Sequence, residues 1–104
     1  MSRILSQVHI AAKEKILFLP HALQQMSKPS RMISALDIRH AISEGKVIED
    51  YPDDPRGHSC LLRGVDISGR IIHVVCAPKD GFLAIITAYV PDPTQWDDDF
   101  RERR

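Results

Sequence analysis

The sequence lacks most of the features that mark a specialised chemistry at sight. It has two cysteines, Cys60 and Cys76, and no Cys-x-x-Cys pair. That excludes a disulfide scaffold and points to a reduced, cytoplasmic protein. Five histidines are present without His-x-x-x-His or His-Glu-x-x-His spacing, so no metal is expected. The glycine-rich loops that cradle nucleotide phosphates are missing, and no cofactor is expected. Charge of one sign is not in excess: 14 basic side chains face 14 acidic ones, so nucleic acid would have to meet a local basic patch. Apolar runs are as short as Ile16-Leu17-Phe18-Leu19, far below the ~20 residues of a membrane span. No apolar core of signal-peptide length follows Arg3.

What is there is an ordinary globular composition, 43% hydrophobic and 27% charged, sized for one domain over residues 1–104. The first part scans as helix. Ile4, Leu5, Val8, Ala11 and Ala12 recur at helical spacing from Ser2, a candidate N-cap, to about Glu14. Lys15–Leu19 reads as a short strand, since Pro20 disfavours helix at the residue before it. Pro20 suits the first turn of a second helix ending near Ser27. A third helix, about Ala35 to Glu44, is bracketed by a Ser34–Asp37 capping box and by Gly45, expected as its left-handed end.

From Lys46 the period changes to two, giving strands at Val47–Tyr51, Ser59–Asp66, Arg70–Ala77 and Phe82–Val90. The predicted fold is therefore α+β, with N-terminal helices on one face of a mainly antiparallel sheet of four or five strands. Ile67-Ser68-Gly69 and Lys79-Asp80-Gly81 read as three-residue hairpin loops. That register puts Arg63 and Thr87 on either side of His73, and Cys60 opposite Cys76. One face then carries Leu61, Arg63, His73, Ile85, Thr87 and Tyr89. The other carries Leu62, Ile72, Val74, Cys76, Ala84, Ile86 and Ala88, all apolar, and should meet the helices. The tail, Asp97-Asp98-Asp99 and Arg101 to Arg104, is expected to be solvated or frayed.

Between the two halves lies Val47–Leu62, a strand broken by Pro52, Pro55 and Gly57 into a wide loop carrying Asp53, Asp54 and Arg56. The pattern Val-Ile-Glu-Asp-Tyr-Pro-Asp-Asp-Pro-Arg-Gly-x-Ser-Cys-Leu-Leu, with His21-Ala22 upstream and Leu83-Ala-Ile-Ile-Thr-Ala-Tyr-Val-Pro-Asp-Pro…Trp96 downstream, resembles the bacterial domain of unknown function 4258 family. The resemblance runs from about Lys15 to Trp96. That family looks like the RelE-type toxin ribonucleases, and its members often sit beside a zinc-finger antitoxin. The resemblance thus implies a RelE-like fold and a metal-independent endoribonuclease toxin of a toxin–antitoxin pair, with RNA and an antitoxin as partners. His21, Tyr51, His73, Thr87 and Tyr89 match its polar motif positions. Gln25 departs from a frequent arginine, and His58 from a small residue or proline.

Metal-free RNA cleavage needs a base for the 2′-hydroxyl, an acid for the leaving oxygen and a cation for the phosphate. His73 and His21 suit proton transfer, with Tyr89 and Thr87 beside His73; Arg63, Arg56 and Tyr51 suit substrate binding. A non-catalytic protein-binding module using the same face or the Tyr51–Gly57 loop is the alternative. His73 in a mostly apolar strand equally suits a structural hydrogen bond, and Arg56 a solvated loop charge. His9 and His40 have no partner in the pattern.

Overall fold

The computed structural model describes residues 3–104, so the helix start expected at Ser2 lies outside it. α1 (Arg3–Glu14) buries Ile4, Val8 and Ala11, one stripe of an amphipathic helix. β1 (Ile16–Phe18) follows, and α2 (Pro20–Met26) opens on its proline without a side-chain cap at Leu19. α3 (Ala35–Glu44) starts on the expected reciprocal box. The Asp37 N–H donates to Ser34 Oγ at 3.1 Å, and the Ser34 N–H to Asp37 Oδ2 at 2.9 Å. Four further strands come next: β2 (Lys46–Tyr51), β3 (Ser59–Val65), β4 (Ile71–Lys79) and β5 (Phe82–Tyr89).

The fold is α+β, a five-stranded sheet in the order β1-β5-β4-β3-β2 with the helices packed against it. All neighbours are antiparallel except β1, which runs parallel to β5. Val8, Ala22, Ile38 and Ala41 from the helices meet Leu62 and Val74 from the sheet in one buried cluster.

Gly45 is extended, φ −76° and ψ 166°, rather than left-handed as expected. Its role is room: a Cβ there would lie 2.5 Å from the Ala41 carbonyl oxygen. A Cβ on Gly64 would meet the same oxygen at 2.5 Å, so α3 rests directly on the β3 backbone.

The first hairpin has the expected register. The Asp66 N–H donates to Arg70 O at 2.8 Å, Gly69 takes φ +90°, Arg63 faces His73, and Cys60 faces Cys76. Both cysteines are free and buried, and the Cys60 contact together with burial pushes the Cys76 thiol up. The second hairpin differs. Lys79 pairs with Phe82, leaving the two-residue loop Asp80-Gly81 instead of three. Asp-Gly is a favoured two-residue connection, which outweighs the longer reading. That slip turns Ile85 to the helix side and pairs Ala84 with Ala77, the reverse of the expected faces.

The tail carries its charges in solvent as expected, with Asp98, Asp99, Arg101, Glu102, Arg103 and Arg104 exposed, but its backbone is folded rather than frayed. Trp96 is 2% exposed and forms an isolated bridge with Arg103. Asp92 accepts from the Thr94 N–H, Asp97 from the Arg101 N–H, and the Arg104 N–H returns to Gln95 O. Aspartates close the turns that hold it, and the Trp96 indole supplies the apolar surface to bury.

Candidate functional site

The site lies on the sheet face away from the helices, and two β-bulges decide what reaches it. In β5, Thr87 pairs with Val75 but Ile85 with Cys76, so Ile86 is the extra residue. The bulge restores the alternation that the short loop had reversed. Tyr89, not Thr87, then stands opposite His73, while Thr87 stays on the same face one pair along. In β2, Val47 pairs with Leu62 and Glu49 with Leu61, making Ile48 the extra residue. Glu49 and Tyr51 are thereby aimed at the His73 face. Bulges commonly re-aim side chains in this way beside functional sites.

His73 is fully buried, with both ring nitrogens engaged. Nε2 lies 2.8 Å from the Phe100 carbonyl oxygen and so carries the proton that it donates there. Nδ1, 3.2 Å from Tyr89 Oη, then accepts from the phenol. Burial, with smaller contributions from the Arg63 and Arg103 charges, holds the imidazole below its ordinary value of 6.5; the bond to Phe100 and the Glu49 charge oppose it. His73 is neutral in the neutral range. Trp96 packs edge-on against it, ring centres 4.5 Å apart.

A second group adjoins this one. Arg103 grips Glu49 with two bonds, Nε to Oε2 at 2.8 Å and the second nitrogen to Oε1 at 3.0 Å, and its guanidinium lies 4.6 Å from the Trp96 ring centre. The Tyr51 phenol donates to Glu49 Oε1. The Arg103 pair holds the Glu49 carboxyl below its usual range despite partial burial. Burial first, then the Glu49 contact, pushes Tyr51 up to about 12. Burial also raises Tyr89. Both phenols are proton donors at neutral pH.

Arg63 sits across from His73 and donates through Nε to the Asp99 carbonyl at 2.7 Å. With Lys46 and Arg101 it lines a small basic notch that also includes Glu44. His73, Tyr89, Thr87, Arg63 and Tyr51 thus share one face. Arg56 stays in its loop, paired with Asp54, whose carboxyl is held well below the usual range by Arg56 and Ser59. His21 is exposed in the first turn of α2, with no hydrogen bond to the His73 group. Gln25 accepts from the Arg31 guanidinium. His58 pairs with Asp50. Among the described residues no cluster of metal-ligating side chains occurs.

Glu49, Trp96 and Arg103 have no site role in the sequence pattern and gain one only in the fold. Glu49 and Tyr51 are two apart in a strand, a signal that they share a face, but only the bulge fixes which face.

A family model described as Domain of unknown function (DUF4258) matches residues 18–90. No curated protein and no solved structure matches the chain.

Proposed function

The chain belongs to the DUF4258 family, and from that membership and the polar face we propose that it is a RelE-like, metal-independent endoribonuclease toxin of a toxin–antitoxin pair. The carrying observation is a neutral imidazole flanked by Tyr89 and Arg63 on one sheet face. A neutral imidazole is the form a general base requires.

In this reading the Tyr89 hydroxyl, which both donates and accepts, lets His73 exchange tautomers. With Nδ1–H donating to Tyr89 and the Phe100 carbonyl moved off the ring, Nε2 is free to take the proton of a ribose 2′-hydroxyl. The 2′-oxygen forms a bond to phosphorus and the P–O5′ bond breaks. A protonated phenol of the face, Tyr89 or Tyr51, supplies the proton to the leaving oxygen. Arg63 faces the phosphate oxygens. The products are a 2′,3′-cyclic phosphate and a 5′-hydroxyl. RNA and a zinc-finger-type antitoxin are the proposed partners, and the cytoplasm the proposed location.

The test is expression of wild type and His73→Ala with an RNA cleavage assay. His73→Ala should stop growth arrest and lower cleavage by ~10²–10⁴-fold, the usual weight of a general base. A folded His73→Ala chain that stays fully toxic removes His73 from the chemistry. The occupancy of both His73 nitrogens favours one second reading, a non-catalytic protein-binding module in which His73 is structural. Wild type that cleaves no RNA and arrests nothing would decide for it.

A further inference from the structure

The family match ends at residue 90, yet the face it builds is covered by residues 91–104. The cover is specific. The Phe100 carbonyl takes the His73 Nε2 proton, the Asp99 carbonyl takes the Arg63 Nε proton, and Arg103 neutralises Glu49. Trp96 packs its aromatic ring edge-on against the imidazole. Two oxygen acceptors and one flat ring are the groups that a nucleotide presents as phosphate and base.

We propose that residues 91–104 are a strap that shuts the His73 face in cis and opens as a unit to admit single-stranded RNA. The choice of ligand rests on the ribonuclease reading; the motion does not. The strap is held to the body largely by groups of the site itself, whereas its turn-closing backbone bonds, from Gln95 and Trp96 to Asp92, Asp97 to Glu102, Phe100 to Asp97 and Arg104 to Gln95, are internal. It can therefore lift without dismantling the sheet. Phe100 adds a bias toward opening, since its carbonyl reaches His73 from a left-handed backbone at φ +58°, an unfavourable conformation for a bulky residue.

Trp96 is the sole tryptophan, so its accessibility to acrylamide reads the strap directly. Arg103→Glu replaces a bidentate pair by repulsion from Glu49. It should keep the fold by circular dichroism, expose Trp96, and strengthen binding and cleavage of a single-stranded oligoribonucleotide about tenfold. Adding Glu49→Arg should re-form the pair with reversed charges and shield Trp96 again. In wild type, the Asp97 and Arg104 amides should exchange with solvent through a local opening, ahead of the β3 and β4 amides. That measurement decides the matter if Arg103→Glu does not fold: exchange of the strap only with the whole sheet overturns the proposal. So does a wild type that cleaves RNA while Trp96 stays shielded, an outcome that leaves the ribonuclease reading intact. A strap that opens in Arg103→Glu and closes in the double variant, with no RNA bound by either, supports the motion and removes the ribonuclease.

Discussion

At the scale of single residues, His73 is the fully buried titratable group at the centre of the face. Its folded value lies below 6.5 and its unfolded value is ordinary, so below pH 6.5 the unfolded chain binds a proton that the folded chain refuses. Stability from this residue is complete above that pH and is lost as pH falls from it toward the folded value. Thermal midpoints of wild type should drop through this window more than those of His73→Gln; parallel curves would remove the linkage. Tyr89→Phe keeps the ring and loses the hydroxyl that steers the imidazole. Under the proposed ribonuclease activity, its cleavage rate should fall less than that of His73→Ala, measured on the same oligoribonucleotide. The pairing of His73 with Arg63 was legible because the loop Ile67-Ser68-Gly69 fixes one register. Its pairing with Tyr89 rather than Thr87 was not, because a bulge at Ile86 has no residue signature of its own.

At the scale of elements, every helix and strand of the described residues was legible to within a few positions, since capping, proline and period agree along the chain. The exceptions are contacts that local patterns do not encode. Gly45 was expected as a left-handed helix end, yet its small size serves the approach of α3 to β3, where a Cβ would lie 3.0 Å from the Arg63 carbonyl oxygen. Gly64 tests that approach, because an added methyl would also lie 2.8 Å from the Ala41 Cα. Gly64→Ala should destabilise the protein by ~1–3 kcal/mol, the usual range for overpacking, in denaturant titration. An unchanged midpoint would mean that α3 slides freely on the sheet. The tail was misread for a related reason: seven of its last eight side chains are charged, and composition reports solvation, not which partners wait on the body. Arg103 finds Glu49, 54 positions away in sequence.

At the scale of the whole molecule, the radius of gyration is 12.6 Å, close to the ~13 Å of a compact chain of this length with nothing trailing in solvent. Cys60 and Cys76 face each other in its interior as free thiols. Thiol titration of denatured, unreduced protein should count two groups, and a count of none would show a cross-strand disulfide instead. The parallel contact of β1 with β5 sets Ile16 against Leu83, so the first strand cannot be seated until nearly the last has been made. At ~5–20 residues per second, a ribosome leaves the N-terminal segment waiting several seconds for its partner. Throughout that wait α1 carries Ile4, Val8 and Ala11 uncovered, and the newborn chain presents to chaperones the same stripe that the finished sheet later conceals.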